Sequence, residues 1–285
     1  MQSSIDFGAI SIHLDCSVNL VANNIKKLYP HYILEQNNSP NDYYISVKHG
    51  SGIRKYIRPQ VVFEHDGDAP FKPVPENHAY ASFEWGVNYV VSNFAQNYLS
   101  IHAGVVAKND KAIIFPAPPG SGKSTLTTYL MAQKGWRLLS DEMSLLMPES
   151  REVTPLVKPV CLKNNSIDLA RSWFPQTSFS TIATATVKGN VAHLSPPESS
   201  WQQRHRPALA TAVIFPRYSP SKSMEIYKLD KNQAFMMLAE NTINLTLQSQ
   251  LGFNTLVELI ENTLQFEVHY SDVEEVKDFI EQDLL

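Results

Sequence analysis

Cysteine is scarce in this chain. Its 285 residues hold two, Cys16 and Cys161, too few for a disulfide framework or a cysteine zinc site. They read as two buried thiols in a reducing compartment. Long apolar runs are missing as well. None approaches the ~20 residues that span a bilayer, and the opening MQSSIDFGAI lacks the basic-then-apolar order of a secretory leader. These absences predict a cytoplasmic protein with no membrane association. Basic charge is also lacking. A formal net charge of −4 argues against binding nucleic acid through its phosphates, yet it permits one nucleotide held locally by backbone amides. No internal repeat or heptad pattern is visible, and no stretch is polar enough for a disordered tail. At this length the chain can form one large domain or two smaller ones.

The first ~75 residues carry short strand-like runs at Ile10–Leu14, Tyr43–Val47, Lys55–Ile57 and Val61–Phe63, with a helix near Val18–Leu28. They predict a small β-rich α+β lobe of unassigned role over residues 1–75. The Pro-rich segment Asp66–Pro75 should connect it to a second domain over residues 76–285. That domain should open on a helix over Ala79–Leu99, followed by the hairpin Ile101–Ala107 and Ala112–Phe115. Further strands are expected at Trp136–Leu139, Met143–Met147 and Ala208–Phe215. Asp230 and Gln233 form the pattern of a capping box, predicting a helix over Asp230–Gln248. A helix over Phe253–Leu264, a strand at Gln265–His269 and a helix over Ser271–Glu281 should close the chain.

The chemistry gathers in one stretch, Ala112 to Glu142, reading AIIFPAPPGSGKSTLTTYLMAQKGWRLLSDE. An apolar strand leads into a Pro- and Gly-rich loop, then Gly122-Lys123-Ser124, then a helix. That is the second half of the phosphate-loop pattern G-x-x-x-x-G-K-[ST]. Glycines there let the backbone turn tightly and approach phosphates, while successive amides and the helix N-terminus face the negative charge. Pro119, Gly120, Ser121, Gly122, Lys123, Ser124 and Thr125 are therefore the candidate nucleotide-binding residues. Lys123 would reach the β- and γ-phosphates, and Ser124 would hold Mg²⁺. The first glycine of the pattern is Ala117, which is tolerable where the backbone stays out of the left-handed region.

Asp141 and Glu142 follow Lys123 by 18 and 19 positions and should end the strand adjacent to the loop. Carboxyl ends of neighbouring strands in an α/β sheet face one crevice. One carboxylate can then accept a proton or a hydrogen bond and the other can bind metal; the alternative makes one of them a strand-end cap for the following turn. His102, in the apolar run LSIHAGVV, reads on its own as a core histidine. Arg206, just before the strand Ala208–Phe215, can supply positive charge to a phosphoryl transition state or be a surface arginine, with Arg171, Arg204 and Arg217 as rivals. Lys158 and Lys163 read as phosphate or substrate contacts or as a solvated face.

The run IHAGVVAKNDKAIIFPAPPGSGKSTLTTYLMAQKGWRLLSDEMSLL resembles the catalytic core of the HPr kinase/phosphorylase family. PLVKPVCLKNNS, KGNVAHLSPP, RPALATAVIFPRY and LAENTINLTLQSQLGFNTLVELIE are similar to HPr kinase-related kinases, more narrowly the HprK-related kinase A group. The likeness covers roughly Ile101 to Leu285. It implies an α/β P-loop kinase core of the HPr kinase and PEP carboxykinase type, a mixed sheet with flanking helices, beside the small N-terminal β-rich lobe. It also implies ATP and Mg²⁺ as cofactors and a serine of a peptide or small protein as acceptor. Asp141 falls on the family's acid/base aspartate, Glu142 on its metal-side acid, and His102 on a histidine near the active site. Arg206 takes the place of the catalytic arginine. A homo-oligomer is implied as well. Two other readings remain: a P-loop kinase acting on a small-molecule hydroxyl, and a nucleotide-binding regulatory protein without kinase activity. A peptide acceptor should use an exposed groove lined by segments such as Val153–Ser199.

Overall fold

The computed structural model describes residues 1–34, 40–52, 57–220 and 223–285. The protein is a mixed α/β chain whose contacts divide it into two compact units. One comprises Met1–Phe94 and Lys158–Ser195, the other Ala95–Val157 and Pro196–Leu285. The units do not part at the expected boundary of residue 75.

The first unit opens with β1 (Gln2–Asp6), β2 (Ser11–Cys16), α1 (Asn19–Leu28), β3 (Tyr43–His49), β4 (Gln60–His65) and β5 (Val74–Pro75). These strands form a sheet in chain order, with β2 and β3 parallel across α1 and the other pairs antiparallel. Burial alternates along β2 and β4, as a sheet with one covered face requires. The expected strand Lys55–Ile57 lies, apart from Ile57, outside the described residues. Helix α2 (Ala79–Phe94) packs on this sheet because Gly86 leaves room for the Phe63 ring: a Cβ there would stand 2.1 Å from it. That packing explains why the helix beyond residue 75 belongs with the N-terminal strands.

The second unit begins with β6 (Leu99–Ile101), β7 (Ala103–Lys108), β8 (Lys111–Pro116), α3 (Lys123–Met131), β9 (Trp136–Ser140), β10 (Ser144–Leu146) and β11 (Glu152–Thr154). The chain then contributes β12 (Val160–Lys163), α4 (Asn165–Trp173), β13 (Ala183–Thr186) and β14 (Gly189–Leu194) to the first unit, where the three strands form their own antiparallel sheet. Lys158 enters here and is neither a phosphate contact nor solvated. It is 7% exposed and pairs at 2.9 Å with Glu84 of α2. Glu84 also accepts from Tyr29 at 2.8 Å and Tyr80 at 2.5 Å.

The second unit is completed by α5 (Glu198–Gln202), β15 (Ala208–Tyr218), β16 (Glu225–Lys228), α6 (Lys231–Glu240), α7 (Leu245–Glu261), β17 (Leu264–Tyr270) and α8 (Val273–Phe279). β8, β15 and β17 run parallel. β7 lies antiparallel between β8 and β9, so the strand bearing the acids is one place removed from the loop strand rather than adjacent to it. The carboxyl ends of β8, β9, β15 and β17, and the amino end of β7, consequently share one edge. Ala103, Val105 and Ala107 of β7 join Leu238 of α6 and Leu256 and Leu259 of α7 in one apolar core. The alternate residue Gly104 faces α3, where an added Cβ would sit 2.3 Å from Thr127 Oγ1. Only a glycine lets this helix lie so close to the sheet.

The expected capping box at Asp230 and Gln233 is present. The helix after it stops at Glu240 instead of running to Gln248, because Asn244 leaves helical register to bond strand β6. Its side chain accepts from Ser100 N–H and donates to the Tyr98 carbonyl, both at 2.9 Å. The last helix, expected from Ser271, begins at Val273 and is capped by Asp272, which accepts from Glu274 N–H at 2.8 Å.

Candidate functional site

Strand β8 ends at Pro116 and α3 starts at Lys123, so residues 117–122 form the loop between them. Gly120 and Gly122 both have φ of +91°, the left-handed region open to glycine at no steric cost. Ala117 is buried and is not among the positive-φ residues, so a side chain at the place of the usual first glycine brings no backbone strain. Three hydrogen bonds hold the loop's shape. Ser121 N–H reaches the Pro118 carbonyl at 3.4 Å, Tyr218 N–H the Ser121 carbonyl at 3.0 Å, and the Tyr270 hydroxyl the Gly122 carbonyl at 3.3 Å. The first bond inside α3 joins Leu126 N–H to the Gly122 carbonyl at 2.9 Å. The amides of Lys123, Ser124 and Thr125 therefore have no acceptor within the helix, and they lie at its positive end. A Cβ on Gly120 would meet nothing within 4 Å, which leaves space above the loop backbone, while Pro119 is exposed at its tip.

Lys123 is 6% exposed, and its Nζ lies 2.9 Å from His102 Nε2. With lysine as ammonium it donates, Nε2 accepts, and the imidazole carries its proton on Nδ1. His102 sits between β6 and β7, with its N–H bonded to the Asn241 carbonyl at 2.7 Å. The antiparallel course of β7 brings that amino end to the loop's edge, which lifts His102 out of the core. Asp141, 4% exposed, and the half-buried Glu142 follow β9. Their turn is closed by Ser140, whose hydroxyl accepts from Met143 N–H at 3.1 Å and donates to the Met143 carbonyl at 2.5 Å.

Arg206 is not part of this assembly. It pairs with Asp110 in the β7–β8 turn, and Leu209 is in register with Lys111 at the start of β8. At ~3.3 Å per residue the length of β8 puts it ~20 Å from the loop. The reason is directional: Arg206 precedes β15, and β15 runs parallel to β8, so its amino end lies at the opposite edge.

The sequence ranked Arg217 only as a rival, yet this arginine follows the same strand out to the loop's edge. It lines a cavity of about 600 Å³ together with Gly120, Ser121, Tyr218, Met237 and His269. Glu267 holds it, with Oε1 2.9 Å from Arg217 Nε and 2.6 Å from His269 Nε2. Burial pushes the Glu267 carboxyl up, but the hydrogen bonds and charges of His269 and Arg217 outweigh it and hold the group below the usual glutamate range. The rule that strand carboxyl ends face the crevice was enough to favour Arg217 over Arg206 from sequence. Tyr218 and Tyr270, which brace the loop, left no local signal.

The edge thus offers backbone amides and a lysine to an anion, a buried carboxylate to a proton, and a hydroxyl with a second carboxylate to a cation. Among the described residues no group of three or more His, Cys, Asp or Glu side chains could hold a metal ion. Mg²⁺ of the kind expected beside a nucleotide needs no such group, since it takes only one or two protein ligands and completes its shell with phosphates and water. No protein-family model matches the chain, and no curated protein matches it either.

Proposed function

We propose that this chain is an ATP-dependent kinase with a P-loop core of the HPr kinase and PEP carboxykinase type, which phosphorylates a serine hydroxyl of a peptide or small protein. One observation carries the reading. The glycine loop with Lys123, the His102 it touches at 2.9 Å, and the buried Asp141 are set at one edge of one sheet. A nucleotide site needs the first of these; hydroxyl phosphorylation needs the last.

Mg-ATP, when bound, supplies the phosphoryl group and neutralises charge. The chain's own part is mostly positioning and electrostatic stabilisation, since phosphoryl transfer asks little covalent chemistry of the protein. The amides of the loop and of the first turn of α3 bind phosphate oxygens, and Lys123 adds its charge. His102 accepts from Lys123 and so limits its rotamers. Ser124 and Glu142 would hold the metal. Asp141 takes the proton of the acceptor hydroxyl, and the turn closed by Ser140 keeps it oriented. The serine acceptor rests on the family resemblance. Much of the segment expected to line a peptide groove, Lys158–Ser195, folds into the first unit.

The test pairs two variants in titrations with a fluorescent ATP analogue and in transfer assays with γ-labelled ATP and Mg²⁺. Lys123→Ala should lose transfer and weaken nucleotide binding at least tenfold. Asp141→Asn should bind nucleotide within twofold of the unaltered protein and transfer no phosphate. Full transfer by Asp141→Asn would remove Asp141 as the base, and absence of nucleotide binding by the unaltered chain would remove the kinase reading.

A further inference from the structure

Helices α6 and α7, with the turn between them, are apolar on both sides. Leu238 of α6 and Leu256, Leu259 and Ile260 of α7 are buried in the core of the second unit. On the outer side Met236, Ile243, Leu247, Leu251, Phe253 and Val257 are exposed, from 36% for Val257 to 73% for Leu247. Helix α8 shows the ordinary division instead, with Val276 and Phe279 buried and Glu274, Glu275 and Asp278 exposed. A helix that is apolar all round is one that something covers on every side. Residues 241–257 moreover contain no Asp, Glu, Lys, Arg or His. We propose that this outer face of α6 and α7 is where two copies of the chain associate about a twofold axis. Its occupant is a second copy of this chain whether or not the phosphate loop binds nucleotide.

Area, charge and rigidity each support the assignment. The six side chains expose on the order of 100 Å² apiece, about 600 Å² together, the upper end of what a monomer leaves uncovered. Two such faces laid on each other bury about 1,200 Å², more than the ~1,000 Å² that a specific interface needs. The absence of charge decides the partner. A lipid surface would call for Lys or Arg around the apolar residues, and a different protein would be selected by a pattern of charges. An uncharged apolar face matches itself, and a twofold axis is the simplest way for one patch to cover its own copy. The face is also held in shape. Phe253 packs on Phe235 of α6 with ring centroids 5.2 Å apart, which joins the two helices. Ser249, at φ +51°, breaks α7 after its first turn, so Ile243 and Leu247 stand on a separate short segment. Asn244 ties that segment to Ser100 N–H and the Tyr98 carbonyl, both at 2.9 Å, and Gln248 donates to the Gln96 carbonyl at 2.6 Å. Side chains mounted on a fixed frame lose little freedom on association.

The experiment is sedimentation velocity on the full chain over about 1–50 μM, a range that resolves micromolar association. The unaltered protein should sediment as a dimer at the upper concentration. Leu247→Glu and Met236→Glu, at the two most exposed positions of the face, should each weaken association at least a hundredfold and sediment as monomers there. Hydroxyl-radical footprinting of the unaltered protein should show Met236 and Phe253 oxidised at least threefold more slowly at the upper concentration than at the lower. An assembly larger than a dimer that both variants reduce in size supports this face as one of its contacts. A monomer at every concentration overturns the proposal and leaves the face to a different chain or a lipid surface. An assembly that neither variant alters overturns it too, because the copies then meet elsewhere. So does oxidation of Met236 and Phe253 that is independent of concentration, and that result stands even where a variant fails to fold.

Discussion

Gly122 is the residue on which the loop's geometry can be tested most cleanly. It has φ of +91°, and a Cβ placed on it would stand 2.4 Å from the Tyr270 hydroxyl, 2.9 Å from Tyr218 Cβ and 3.3 Å from the Tyr270 ring carbon. Gly122→Ala therefore carries two costs. The left-handed backbone costs a residue with a side chain ~1–2 kcal/mol, and overpacking against a fixed neighbour adds ~1–3 kcal/mol. Tyr270 is fully buried and cannot swing away, so the total should be about 2–5 kcal/mol. Tyr270→Phe alone should cost about 0.5–1.5 kcal/mol, toward the low end, because the Gly122 carbonyl keeps its bond from Leu126 N–H at 2.9 Å. In the double variant the 2.4 Å contact no longer exists, while the strain in φ and the Tyr218 contact remain. The pair should be less destabilised than the sum of the singles by about 1–2 kcal/mol. Urea unfolding of the four proteins of the cycle measures this. Additivity within ~0.5 kcal/mol would refute the packing of β17 on the loop.

Lys158→Met removes the partner of a buried carboxylate, which should cost about 3–5 kcal/mol at neutral pH. Burial pushes Glu84 up, but the charges of Lys158 and His193 and the bonds from Tyr80 and Lys158 hold it below its ordinary 4.5. A depressed carboxyl stabilises above its unfolded value and loses that contribution as pH falls through its folded value. Without Lys158 the group must protonate to stay buried, so the deficit should shrink as pH falls from 7 toward 4.5 in urea melts; a constant deficit would contradict the pair. Arg206→Ala removes an exposed ion pair and should change stability by less than ~1 kcal/mol. Nucleotide affinity and transfer should stay unaltered, and a loss of transfer with nucleotide binding intact would return Arg206 to the site.

The loop could be read in sequence because its constraints are local. A strand, two glycines, a lysine and a helix lie within one short span, and each residue type answers a steric or electrostatic need of its neighbours. His102 could be flagged only by resemblance. What moves it from core to site is the antiparallel insertion of β7 between β8 and β9, a pairing that no local pattern specifies. The same insertion separates the acids from the loop by one strand. Arg206 precedes a strand parallel to β8 and so falls at the opposite edge, while Arg217 at the other end of that strand reaches the loop's edge. The unit boundary is not legible in the sequence for a third reason. Gly86 reads as a weak point in a helix until Phe63 is seen to fill its place, and the return of Lys158–Ser195 to the first unit depends on a buried charge pair 74 positions apart in the chain.

The central claim is that Lys123 and Asp141 together serve phosphoryl transfer to a protein hydroxyl. The most direct measurement is the phosphoproteome of host cells expressing the unaltered chain, Lys123→Ala or Asp141→Asn at matched levels. A set of phosphoserine sites present with the unaltered chain and missing with both variants is the predicted result. Phosphoproteomes that do not differ, or a full set retained by Asp141→Asn, would contradict it.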